Sequence, residues 1–501
     1  MAETLKLGNG IWATKENSLL SYNDENGNYK PLPFDFTRAS SATVVNKAGL
    51  IETVQSGIPR IDFLGNTNGA LLLEPQRTNL ITQSEAFGNS YWTKSGATIQ
   101  GDPSTAGAEE VTNGSFTGSA TGWTINSGWA YGTNNIVASG SADNSFFYQG
   151  ILTANKTYLV TFDIVSISSG AITAWIGAEQ GNTSNASYTS PTTSPSADSP
   201  LNAFKLVEGT STAAHSIYVL SAASHTGTLT ESVFLKASEI TLAAVHFGNF
   251  SNRAEFNLSN GTVATFGVLD SATIEAFTNG WYKCTVTGTF SASNVYTQIN
   301  LLKSSGSASY TGDGTSGVYI YGAQLEASSY PTSYIPTQGS TVTRNLETCS
   351  GAGNATVFED VNASGVLFAE IQAHSDDLTD RYITLSDGTT SNRAFIRWVT
   401  VSNRVDGFII VGGVTQASFT YTGGDITDFT KIAVRWAVND FSFWINGVKN
   451  NTDTNGSVFS ALTTLSLNEG DASGFEFFGN IKQIQVLTYQ TDAEMIALTS
   501  L

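Results

Sequence analysis

The chain has 501 residues, with 23 Lys plus Arg against 42 Asp plus Glu, a net charge of 23 − 42 = −19. Only 13% of residues are charged while 11% are aromatic, and there are just 10 Pro and 2 Met, which excludes a disordered chain and a helical one and marks a folded, β-rich protein. No basic run supplies the cations a nucleic acid requires, and no stretch reaches the ~18 apolar residues of a membrane helix, so neither nucleic-acid binding nor membrane insertion is expected.

In chain order, residues 1–33 are polar and aperiodic and read as an N-terminal attachment arm. Short runs of alternating apolar and polar residues follow, such as Thr157 to Ile164 and Lys431 to Val438, the period-2 signature of half-buried strands. Asn-Gly, Asp-Gly and Gly-Gly pairs punctuate them as turns. Residues 183–202, rich in Ser, Thr and Pro, read as a loop or linker, and residues 330–356 as a second seam. From about 357 a further set of alternating strands runs to the end. The one helix candidate is Asp492 to Leu498, with Asp492 as its cap. Cys284 and Cys349 fit no zinc spacing and are expected as buried free thiols.

Three sets of strings resemble known families. FDFTRASSATVVNKAGLIE (34–52), IPRIDF (58–63) and LLLEPQRTNLI (71–81) resemble a leader in bacteriophage tail and head-fibre proteins, and SEAFGNSYWTKSGAT (84–98) resembles the start of the jelly roll that follows it. Later strings, including TIEAFTNGWYKCTVTG (273–288) and SYIPTQGSTVTR (333–344), match the rest of that jelly roll. VTNGSFTGSATGWTINSGWAYG (111–132) is similar to the opening of carbohydrate-binding modules that accompany glycan hydrolases. GVLFAEIQ (365–372) and TKIAVRWAVNDFSFWINGVK (430–449) resemble a concanavalin A-like, laminin-G-like sandwich, with Asn439-Asp440 and Asn446-Gly447 as turns.

These resemblances imply an all-β protein of several β-sandwich (jelly-roll) domains. The expected order is an arm at 1–33, leader and first jelly-roll strands at 34–106, and an inserted module at 107–197. The remainder of the jelly roll follows at 198–345, and the concanavalin A-like domain at 346–501. The implied function is that of a phage fibre or decoration protein on the virion surface. Its expected partners are other virion proteins, further copies in a homotrimer, and a glycan of the bacterial surface. MAETLKLGNG lacks the apolar core of a secretion signal, so synthesis in the host cytoplasm is expected.

Sugar recognition needs aromatic faces for C–H stacking beside polar groups for hydroxyls. Trp123, Trp129 and Tyr131 lie in a Gly, Ser and Asn-rich segment, and Trp175 lies on the alternating run ITAWIGA; these four are the glycan-binding candidates, with core packing as the alternative. Trp281, Trp398, Trp436 and Trp444 read as packing residues. Catalysis is not expected: a glycosidase needs two carboxylates roughly 5–10 Å apart. Glu370 stands alone on its strand and reads as a solvated surface carboxylate, and His215 and His246 read as packed residues. No cofactor is expected. A structural calcium is left open at Asp376, Asp377, Asp380 and Asp313, hard oxygen donors in loops that serve equally as turn residues.

Overall fold

The computed structural model describes residues 3–20, 32–100, 110–138, 145–151, 194–198, 203–471 and 474–501. The chain divides into two compact units, one of residues 1–98 with 193–501 and one of residues 99–192. The described residues are almost entirely strand and turn, an all-β fold.

In the larger unit a β-sandwich pairs two sheets. One follows the order Val448–Asp453, Asp440–Ile445, Thr430–Ala437, Ser364–Gln372, Gly479–Thr488, Ala70–Leu73, Arg60–Asp62. The other follows Val414–Thr422, Arg404–Val411, Arg393–Trp398, Arg381–Ser386, Thr464–Ser466. Alternation sends Leu367, Ala369, Val434, Trp436, Ile481 and Ile484 inward to meet Ile383, Leu385 and Ile396 of the facing sheet, in one apolar core. The 430–445 hairpin turns at Val438-Asn439, since Ala437 pairs with Asp440, one residue earlier than expected. Asn439 takes the positive φ of 56° that the turn demands, as Asn446 and Gly447 do at the next one.

Residues 1–33 do not stand off as an arm where they are described. Glu3–Gly8 pairs antiparallel with Gly479–Thr488, and Leu5 and Leu7 are buried in the sandwich core. Two alternating leucines are too short a run to register as a periodic strand, but they suffice to close an open sheet edge. The leader strand Ala70–Leu73 covers the rest of that same edge, at Gly479 to Ile481.

The jelly-roll sheet is built around two 22-residue strands, Ser216–Ala237 and Trp281–Leu302, paired along nearly their whole length. The leader packs here too: Val45 and Ile51 join Phe234, Trp281, Tyr321 and Tyr334 in a second core. The leader therefore contributes to both sandwiches. The 330–356 seam is mostly loop, as its composition says, but it holds two short strands, Val342–Arg344 and Thr348–Ser350, that pair with the leader, so it is not a linker. Tyr330, Thr332, Tyr334, Ile335, Arg344 and Glu347 are all buried. Strand side chains satisfy its backbone: Asn79 donates to Ile335 O at 2.8 Å, and Ile335 N donates to Gln324 Oε1 at 2.6 Å.

The helix runs Asp492–Thr499, and its cap is Thr491 rather than Asp492. Thr491 Oγ1 accepts from Glu494 N at 3.4 Å while Glu494 accepts from Thr491 N at 2.8 Å, a reciprocal capping box. Cys284 and Cys349 are free and buried.

Candidate functional site

The smaller unit carries the aromatic segment. Trp129–Tyr131 pairs antiparallel with Ile136–Ala138, and Thr124–Ile125 with Phe147–Tyr148. Trp129 and Tyr131 stand two residues apart on one strand and so share a face of the hairpin. Tyr131 is 38% exposed, and its hydroxyl accepts from Asn134 N at 3.3 Å, which ties the ring to its own turn. Trp129 is half-buried, its ring centroid 5.0 Å from that of Phe147. The Trp129 Nε1–H is buried and has no acceptor among the described residues.

Trp123 is held differently. It lies 5.1 Å from Phe116 and 5.4 Å from Phe147, with Nε1 donating to Asn113 O at 3.2 Å. Phe116, Trp123, Phe147 and Trp129 thus form one half-buried aromatic cluster. Trp123 spends its faces on packing, Trp129 part of one, and Tyr131 leaves its ring to solvent. Trp175 lies outside the described residues. Phe116 and Phe147 are the partners that sequence reasoning missed; their pairing depends on strands that meet only in the fold.

The four packing tryptophans, Trp281, Trp398, Trp436 and Trp444, are all buried. His215 is buried with its ring nitrogens against Gly96 O and, at 3.0 Å, Tyr310 O. His246 Nε2 lies 2.9 Å from Asn300 Oδ1, and burial pulls its pKa down to about 4, so it stays neutral.

Three of the four candidate calcium ligands, Asp313, Asp376 and Asp377, have local partners. Asp313 accepts from Thr315 N and Ser316 N, each at 2.7 Å, as a turn aspartate does. Asp377 pairs with Arg381, and Asp376 accepts from Asn403 N at 3.0 Å. Among the described residues no three His, Cys, Asp or Glu side chains converge as a metal site needs.

The densest charge in the molecule is a hub that sequence reasoning did not assemble. Arg60 donates to Glu347 Oε2 at 2.5 Å and to Glu74 Oε2 at 2.8 Å. Arg38 donates to Glu347 Oε1 at 2.6 Å, and Arg344 lies 2.8 Å from Glu74. All five side chains are essentially buried. Burial opposes the Glu74 charge, but Arg344 and Arg60 prevail and hold its carboxyl well below the usual range. Each carboxylate is spent on guanidinium groups, which makes this a structural lock rather than a pair of catalytic acids.

No protein-family model matches the sequence, and no curated protein matches it either. Solved structures show distant likenesses. The Ruminococcus gnavus IT-sialidase CBM40 is 14% identical, covering 30% of this chain and 94% of its own, with a TM-score of 0.26. The binding domain of botulinum neurotoxin DC, in complex with rat synaptotagmin II, is 10% identical over 31% of this chain and 40% of its own, with a TM-score of 0.25. Domains LG4-5 of the mouse laminin α1 chain are 12% identical over 53% of this chain and 84% of their own, with a TM-score of 0.22. At scores this low none of them carries an argument about function, and the all-β assignment rests on the sheets described above.

Proposed function

We propose that this chain is a non-enzymatic adhesin of a bacteriophage virion, a fibre or decoration protein that holds glycans of the host surface. The observation that carries the reading is the 129–138 hairpin, with Tyr131 exposed and Trp129 half-buried beside it on the same face. An aromatic face beside exposed polar side chains, here Thr133 and Asn134, is the chemistry a sugar ring requires. The phage setting, the virion partners and the homotrimer rest on the leader and jelly-roll strings at 34–98 and 273–344. A single shallow site binds weakly, and tethering several copies adds about 10²–10⁴ in avidity.

A purely structural decorating role is the second reading, favoured by the packing of Trp123 against Phe116 and Phe147. A glycan array with the purified oligomer, with and without EDTA, separates the two. The adhesin reading expects a defined glycan class whose binding Tyr131→Ala weakens about tenfold with the fold intact. Signal loss with EDTA would assign a cation to the site. A well-folded oligomer that binds nothing on the array would leave the structural role.

A further inference from the structure

The outer face of the eight-stranded sheet divides in two. At one end Val366, Phe368, Ala433 and Leu487 lie beneath Met495 of the C-terminal helix in a small apolar cluster. Two to four residues along the same strands, the same face carries Glu370, Lys431 and Gln483 instead. The helix ends at Thr499, and the carbonyl oxygen of its C-cap Ser500 accepts from Lys431 Nζ at 2.6 Å, which takes up that ammonium group at the edge of the face. What lies over it is a cavity of about 210 Å³, walled by three segments distant in sequence. Asn9 comes from the turn after the N-terminal strand, Asn66 and Asn68 from the leader turn, and Glu370, Lys482 and Gln483 from the sheet.

The walls are held in place. Asn9 N donates to Lys482 O at 2.9 Å, and Asn66 Oδ1 accepts from Asn68 N at 3.1 Å. Gly69 has a φ of +73° and leaves no room for a Cβ, which would stand 2.6 Å from Ile61 Cγ2. Trp12 Nε1 donates to Asn68 O at 3.0 Å and fixes the rim from behind. On the floor, Glu370 is 9% exposed and accepts from Gln483 Nε2 at 2.8 Å, and Gln483 is itself oriented by Gln485. Lys482 Nζ sits 3.8 Å from the centroid of the half-buried Phe429 ring and 3.5 Å from Glu370. Asn66 Nδ2 is buried with no partner among the described residues.

This lining selects its ligand. It offers amides, a carboxylate and the Lys482 ammonium, with no apolar side chain, so it does not suit a lipid or an aromatic molecule. Glu370 on the floor disfavours a phosphate, and Lys482 beside it disfavours a metal ion. The matching partner is small, uncharged over most of its surface, and dense in groups that both donate and accept. We infer that the cavity binds a single pyranose unit, with vicinal hydroxyls donating to Glu370 and accepting from Lys482 and the asparagine amides. It is a second saccharide site, distinct from the 129–138 hairpin, and it stands or falls separately from that one.

The test is saturation-transfer NMR on the full chain, using the methyl glycosides of glucose, galactose, N-acetylglucosamine and glucuronic acid. At least one should bind, and Glu370→Gln should weaken it about tenfold, because a hydrogen bond to a charged acceptor is lost. Asn68→Ala, a change at the exposed rim, should weaken it severalfold and guards against a folding defect in the first variant. Tyr131→Ala should leave unchanged the part of this binding that Glu370→Gln weakens, since it touches only the hairpin site. Preference for glucuronic acid would show that Lys482 reads a carboxylate, and preference for the neutral sugars that it reads a hydroxyl. If no glycoside binds, or if binding survives both Glu370→Gln and Asn68→Ala, the proposal is wrong. Binding that disappears only in Tyr131→Ala would overturn this site and leave the hairpin reading intact.

Discussion

Glu231 lies in the middle of the long strand Ser216–Ala237, fully buried between Leu229 and Val233 on the face that fills the jelly-roll core. Neither carboxylate oxygen makes a hydrogen bond of good geometry, the Thr297 hydroxyl offering only a weak one, and burial raises its pKa well above the ordinary value. The folded protein therefore keeps a proton that the unfolded chain releases near pH ~4.3, so stability falls as pH rises above that point. Asp62 and Glu476, whose pKa values burial raises to about 6 and about 7, add to the same slope. Replacement of the acid by an apolar side chain removes the desolvation cost. Glu231→Met is expected to stabilise the protein by about 1–3 kcal/mol at pH 8 and to flatten the loss of stability between pH 5 and 8. Urea unfolding at both pH values measures it, and an unchanged slope would mean that Glu231 finds a partner in solution.

At the scale of elements, the N-terminal strand decides whether the sandwich has an open edge. Its two leucines are buried while Lys6 points the other way, as alternation requires. Leu7→Ala is expected to cost about 2–5 kcal/mol, whereas Lys6→Ala should stay within about 1 kcal/mol. Equal, negligible effects of both on thermal unfolding would restore the segment as a detached arm. The 430–449 hairpin shows the opposite case. Its alternation and its Asn446-Gly447 turn were readable directly, because a long regular strand declares its own period. The Glu3–Gly8 strand was not, because six residues with two leucines acquire their meaning from the edge they cover.

For the larger unit as a whole, the arginine–glutamate hub is what joins its parts. Arg38, Arg60 and Glu74 come from the leader, Arg344 and Glu347 from the seam between jelly roll and sandwich. With Glu326, which also faces Arg344, three cations meet three anions, 3 − 3 = 0. Such a cluster is stable only when complete, since one missing partner strands a buried charge. Arg60→Met should lower stability by about 3–5 kcal/mol. The buried Trp281 and Trp436 report on jelly roll and sandwich separately. Single-tryptophan variants should show both losing structure in one transition, and two separated transitions would mean that the hub does not couple them.

The sequence alone determined the all-β class, the free cysteines, the inward tryptophans of the long strands and the strings that mark each sandwich. Composition and local period carry that information, and neither depends on what lies far along the chain. Only the tertiary structure decided which strand closes the sandwich edge, that the 330–356 seam anchors buried side chains among exposed ones, and that Trp123 spends its faces on Phe116 and Phe147. The same holds for the pocket over Glu370. Asn9, Asn68 and Glu370 are ordinary surface residues when read one at a time, and they become a site only where three remote segments converge on one sheet face.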